Sequence, residues 1–164
     1  MPFGELMEQH RIGLSLVAAH RERLVSSVIC GTIRHFSKRL ILIETVGPAG
    51  RLDGFTLIRR EDLTRVDVGT TPLRQALKLV GTVARNHPIA RELDLLDWRT
   101  ALDSARRVSP TLRLLREGIG DPITLDARSI QVTKHLVIGR EPGSDDEGEL
   151  ALALDQLTRL DLVD

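Results

Sequence analysis

The sequence predicts a mainly β protein with helices (α+β), in which two small five-stranded barrels, each introduced by a helix, stand in tandem and are joined by a helical connector. Three observations predict this fold. Short β-prone runs separated by turn signals occupy both ends of the chain, a helical pattern occupies its middle, and two six-residue patterns recur at nearly one spacing. Closely spaced short strands are typical of small barrels, and repetition indicates copies of one unit.

Length and composition exclude several classes of protein. The 164 residues allow one domain or two of about 80 residues each. A hydrophobic content of 41% and a charged content of 28% exclude a disordered chain. Aromatic residues make up 2%, without any Tyr, which argues against base-stacking platforms. The single Cys excludes a disulfide framework and cysteine-based zinc sites.

Charge and hydropathy at the N-terminus predict a cytoplasmic protein. Two acids precede the first base, and no long apolar run follows, so a secretory signal is not expected. No stretch has the apolar length of a membrane-spanning helix. The formal net charge of zero hides an asymmetry, because residues 1–108 carry 17 basic and 12 acidic side chains, whereas residues 109–164 carry 6 and 11.

The first part of the chain predicts a helix over 3–10 and then five strands. Apolar runs and alternation place the strands at 14–22, 28–33, 40–46, 55–59 and 63–68. Good helix formers at 18–22 leave a helix open as an alternative for the first of them. Gly31 marks a bend or a close backbone approach, and Asp53-Gly54 is a turn signal.

The middle of the chain predicts helices, and the β pattern then returns. Thr71 and Pro72 begin one helix with an apolar face that reaches Val80. A second helix is predicted over 94–107, with Trp98 as a core anchor on its apolar face. Further candidate strands lie at 111–117, 123–127, 130–132, 136–139, 150–154 and 157–163.

An internal repeat supports two copies of one unit. Residues 37–42 match residues 133–138, and residues 63–68 match residues 157–162, at offsets of 96 and 94. Two matches in the same order predict a first unit at 1–70, a helical connector at 71–89 and a second, degenerate unit at 90–164.

Two segments of the first unit resemble the signature motifs of the Sm family. Residues 31–42 are similar to the first motif, in which Gly is followed by apolar, aromatic and polar positions, and residues 58–63 are similar to the second, Ile-Arg-Gly-x-x-Ile. The resemblance covers roughly residues 3–68 and implies an Sm-like barrel with an N-terminal helix. The chain also resembles uncharacterised bacterial proteins with such barrels, often with an Asp-Gly-aromatic turn like that at 53–55.

The departures from these motifs concern function. Sm proteins that hold uridines resemble one another in an Asp and an Asn of the first motif and in the Arg-Gly of the second. Ser37 and Ile41 stand at the Asp and Asn positions, and Arg60 stands at the Gly position beside Arg59. The resemblance therefore implies the fold without the uridine pocket.

These features predict a non-catalytic assembly or protein-interaction module. Open strand edges of small barrels can pair with a protein partner or with another copy of the chain. The alternative is an RNA-binding protein that uses basic residues of two neighbouring loops. The candidate contacts are Arg34, His35, Lys38, Arg39, Arg59 and Arg60.

Catalysis is not expected. Cys30 with His20 or His35 is the one nucleophile-and-base candidate, and a buried, inert thiol is the better interpretation of Cys30. Phosphate-binding loops and a nucleophile elbow are absent from the sequence. The acidic run at 145–149 lacks the alternating spacing of a calcium loop. We therefore expect neither a cofactor nor a metal.

Overall fold

The fold is mostly antiparallel β structure. The computed structural model describes Glu5 and residues 16–47, 52–68, 88–144 and 148–163. In these residues the strands are β1 (Leu16–His20), β2 (Val28–Phe36), β3 (Leu40–Val46), β4 (Leu52–Arg59), β5 (Arg65–Val68), β6 (Thr111–Leu115), β7 (Ile123–Asp126), β8 (Gln131–Val132), β9 (Leu136–Gly139), β10 (Leu150–Ala153) and β11 (Arg159–Val163). The helices are α1 (Pro88–Glu92) and α2 (Trp98–Val108), and short 3-10 turns occupy Arg60–Asp62, Ala127–Ser129 and Leu154–Gln156.

One large sheet runs through both halves of the chain. Its strand order is β5-β1-β2-β3-β4-β11-β6-β7, and a separate three-stranded sheet has the order β10-β9-β8. The two halves join where β4 pairs with β11, antiparallel, with Leu57 opposite Leu160. The predicted pair of small five-stranded barrels is therefore wrong. The predicted helical connector at 71–89 lies outside the described residues, except for residues 88 and 89. An open strand edge accepts any strand that reaches it, and here the last strand of the chain lies on β4.

Gly31 lies where β2 and β3 approach closely, as its predicted role requires. A β-carbon there would lie 2.2 Å from the carbonyl oxygen of Glu44. The β2–β3 register then shifts between Ile33 and His35, so that Arg34 is the extra residue of a bulge. Bulges of this kind bend a strand and redirect a side chain. The apolar run of β3 is buried from Leu40 to Ile43, as expected for a central strand.

Helix α2 begins later than the sequence pattern predicts. Asp97 caps it by accepting a hydrogen bond from Thr100 N, and the Thr100 side chain completes a capping box. Asp94 instead accepts from Leu96 N two residues ahead, which forms a turn and delays the helix. The buried face of α2 packs Trp98 and Leu102 into the larger core, between strands of both sheets.

The predicted turn at Asp53-Gly54 lies within a strand. Asp53-Gly54 is not a turn, because β4 includes both residues and Gly54, with φ +144°, lies opposite Thr45 beside a register shift. Glycine at a bulge relieves backbone strain that other residues would incur. The predicted helix at 3–10, except Glu5, and the predicted helix after Thr71 lie outside the described residues.

No helix in the described ranges is long and apolar enough to cross a membrane.

Candidate functional site

The six basic candidates lie on four neighbouring elements. Arg34 and His35 lie in β2 rather than in a loop, because β2 continues to Phe36. Lys38 and Arg39 lie in the β2–β3 loop, Arg59 ends β4, and Arg60 opens the following 3-10 turn. The structure brings this turn against the loop, since Arg60 N donates to the carbonyl of Arg39 at 2.8 Å.

Arg34 is turned into the protein by the bulge in β2. Its guanidinium forms an ion pair with Glu44 across the β2–β3 pair, and its side chain is 5% exposed. A buried charge needs such a pair, and breaking it would leave Glu44 uncompensated. Arg34 is therefore placed for stability rather than for contact with a phosphate.

Arg59 and Arg60 are also held by groups of the same chain. Arg59 donates to both carboxylate oxygens of Asp62, at 2.7 and 2.9 Å. Arg60 donates to the carbonyl of Ser37 at 3.2 Å, and its guanidinium lies 5.9 Å from the centre of the Phe36 ring. A fork geometry that is already satisfied by a carboxylate is less available to a ligand.

His35, Lys38 and Arg39 are exposed, and their side chains have no partner among the described residues. Lys38 and Arg39 line a cleft of about 360 Å³. The cleft is completed by Leu40, Arg59, Glu61, Asp97, Trp98 and Asp155. Its three basic side chains are matched by three acidic ones, so the cleft lacks the positive excess that attracts a nucleic acid.

Cys30 lacks the surroundings of a reactive thiol. Burial raises the pKa of the Cys30 thiol above its ordinary value, which disfavours the nucleophilic thiolate. Of its two candidate bases, His20 is bound through Nε2 to Asp67 at 2.8 Å. In the described part of the chain neither histidine hydrogen-bonds the thiol, so the geometry provides no nucleophile-and-base pair.

The segments that repeat in sequence form the same hydrogen bonds. Arg60 N donates to Arg39 O as Leu154 N donates to His135 O, both at 2.8 Å. Thr64 N likewise bonds His20 O, and Thr158 N bonds Leu115 O. The equivalences make β10 the counterpart of β4, and β11 the counterpart of β5.

The strands equivalent to β4 and β11, which are β10 and β5, both lie at a sheet edge. β5 ends the eight-stranded sheet and β10 ends the three-stranded sheet, and neither has a second neighbour among the described strands. Leu154 N donates to the carbonyl of His135, the residue before β9. Because the hydrogen-bonding direction alternates along a strand, the N–H of Ala151 in β10 faces away from β9. The Leu-Ala-Leu-Ala sequence of β10 also lacks the charge or proline that commonly protects an edge.

A buried ion pair joins the two halves. Arg21 follows β1 and is fully buried, and it donates to both oxygens of Glu117 after β6, at 2.7 and 2.8 Å. Thr158 also donates to Glu117, at 3.1 Å. Sequence reasoning missed both residues. The signal was an Arg-Glu dipeptide at 21–22 and again at 116–117, at an offset of 95, between the two offsets of the repeat.

Within the described ranges no group of three or more His, Cys, Asp or Glu side chains is arranged to hold a metal ion. Residues 145–147 of the acidic run lie outside those ranges.

Comparisons of the chain with protein-family models, with curated proteins and with solved structures found no match. The resemblance to the Sm family therefore stays a prediction.

Proposed function

We propose that this chain is a non-catalytic assembly module that binds a protein strand at the open edges of β5 and β10. The observation that carries the proposal is the β4–β11 pairing, in which one half of the chain already docks on the other by strand addition. The counterpart edges carry the same backbone groups and have no neighbour in the described residues. Edge pairing of this kind binds through main-chain hydrogen bonds.

The contacts that the basic residues make within the chain favour this function over RNA binding. Arg34, Arg59 and Arg60 are engaged with Glu44, Asp62 and the Ser37 carbonyl. A polyanion would have to displace these contacts before it gained its own. RNA binding through the remaining exposed side chains stays the alternative.

Removal of one outward backbone donor tests the proposal. Ala151→Pro deletes the N–H that faces away from β9 and leaves the β9–β10 hydrogen bonds in place. Ala151→Ser keeps the N–H and is the matched control. Sedimentation velocity of the purified full chain, together with affinity capture from extract, compares both variants with the wild type. We expect Ala151→Pro alone to lose association, and equal association of all three proteins would refute edge docking.

A further inference from the structure

The occupant of these edges follows from the charges beside them. We propose, on the basis of the proposed function, that β10 docks on β5 of a second copy of this chain and that Arg116 forms an ion pair with Glu22 of that second copy. This contact would repeat, between chains, the joint that β4, β11, Arg21 and Glu117 make within one chain.

Arg21 and Arg116 occupy equivalent positions in the two halves. The carbonyl of Arg21 accepts hydrogen bonds from the third and fourth residues after it, at 2.9 and 2.9 Å, and the carbonyl of Arg116 accepts the equivalent bonds at 2.9 and 3.2 Å. A Glu follows each Arg directly. The Nε atoms of both arginines are buried without a hydrogen-bond partner in the described residues.

Glu22 and Glu117 are equivalent in the same way. In each, the backbone N–H donates a hydrogen bond to the hydroxyl oxygen of a threonine, Thr64 at 3.1 Å for Glu22 and Thr158 at 3.0 Å for Glu117. Each carboxylate also accepts from that threonine, at 3.3 and 3.1 Å. The difference is the cross-half arginine, which only Glu117 has.

The direction of the joint determines the next contact. Within the chain, the first half supplies β4 and Arg21, and the second half supplies β11 and Glu117. In the second half, β10 and Arg116 are equivalent to β4 and Arg21. In the first half, β5 and Glu22 are equivalent to β11 and Glu117. A second copy placed by the same relation therefore brings β5 and Glu22 to β10 and Arg116.

Neither member of this second contact has a buried charge partner among the described residues. Arg116 forms no ion pair among the described residues, although its Nε is buried. Glu22 has a side chain that is 54% exposed and pairs with the exposed Arg65 at 3.3 Å, whereas Glu117 is 10% exposed. Opposite charges without a buried partner at the two complementary ends give a head-to-tail contact its specificity.

The repeat also predicts the strand register of the contact. In the β4–β11 joint, Ile58 lies opposite Arg159, Leu57 opposite Leu160, and Thr56 opposite Asp161. When each residue of these pairs is replaced by its equivalent, 94 residues away in the other half, Leu152 lies opposite Arg65, Ala151 opposite Val66, and Leu150 opposite Asp67 of the second copy. The outward N–H of Ala151 then meets β5. Such a head-to-tail contact either closes into a ring or extends as a filament, and it does not form a two-fold dimer.

Charge reversal of the full-length chain tests the contact. Sedimentation equilibrium would compare the wild type with Arg116→Glu, with Glu22→Arg and with the double variant. Removal of one member of a desolvated pair weakens binding by 2 kcal/mol or more, so each single variant should raise the dissociation constant by at least about thirty-fold. The double variant, which restores opposite charges, should recover association. Arg99→Glu, an equal charge change at an exposed site on α2, should associate like the wild type.

The outcomes separate this inference from the proposed function. Single variants that associate like the wild type would overturn the Arg116–Glu22 contact and leave edge docking intact. A double variant that stays dissociated with an unchanged circular dichroism spectrum would also overturn it. A monomeric wild type would overturn a second copy as the occupant, and the comparison of Ala151→Pro with Ala151→Ser on captured proteins would then decide edge docking by itself.

Discussion

A side chain at Gly31 is expected to force β2 and β3 apart. An added β-carbon would lie 2.2 Å from the carbonyl oxygen of Glu44, 2.7 Å from Cγ2 of Ile43 and 2.9 Å from the carbonyl carbon of Glu44. Ordinary contact for a β-carbon begins near 3.4 Å. Because two of the three atoms belong to the β3 backbone, a rotamer change cannot relieve the overlap, and the strand pair itself must shift.

The size of the effect follows from two opposing contributions. Overpacking of a well-packed site costs about 1–3 kcal/mol, and the backbone clash places Gly31 at the upper end of that range. Replacement of glycine restricts the unfolded chain and returns about 0.4–1 kcal/mol. We therefore expect Gly31→Ala to lower the free energy of unfolding by about 2 kcal/mol and Gly31→Val by about 2.5 kcal/mol.

Urea denaturation monitored by circular dichroism measures both losses, as a lower midpoint at an unchanged m-value. Gly139→Ala is the matched control in a strand of the second half. The nearest atoms there are side-chain atoms, Cδ1 of Leu125 at 3.0 Å first, so the expected loss is below about 1 kcal/mol. Losses below about 0.5 kcal/mol in both Gly31 variants, within ordinary surface scatter, would refute the close-approach argument.

Three further predictions follow from the ion pairs, the basic residues and the thiol. Glu117→Ala leaves the buried Arg21 unpaired and should lower the free energy of unfolding by about 3–5 kcal/mol, whereas Glu22→Ala, its exposed equivalent, should cost less than about 1 kcal/mol; equal losses in urea denaturation would contradict the argument. Replacement of Arg34, Lys38, Arg39, Arg59 and Arg60 by Ala should leave weak RNA binding and its salt dependence unchanged. Submicromolar binding at physiological salt that this variant loses, while its circular dichroism spectrum stays that of the wild type, would instead establish the RNA-binding alternative. Because burial raises the pKa of Cys30, alkylation by iodoacetamide at pH 8 should be slower than in urea-unfolded protein and should accelerate as the pH rises through that pKa; equal rates in folded and unfolded protein would contradict this.

The sequence by itself determined the local structure where side-chain pattern and backbone geometry agree. The apolar run at 40–46 predicted β3 with its observed bounds, and the candidate strand at 136–139 matches β9. Gly31 signalled a close approach because only the absence of a β-carbon permits one. The core role of Trp98 followed from its place on an apolar helix face. Such features depend on neighbours a few residues away, so a sequence window contains their causes.

Only the tertiary structure decided which strand edges meet and which charges pair. An edge presents the same backbone donors and acceptors whatever its sequence, so nothing in β4 or β11 announces that they will pair and merge two predicted barrels into one sheet. Arg21 and Glu117 are separated by 96 residues, and their burial depends on that joint. Arg34 was predicted to be a basic loop residue, but a bulge in β2 turns its side chain toward Glu44. That bulge has no signature in the sequence. Long-range pairing is set by the sum of many weak contacts, and a local pattern contains none of them.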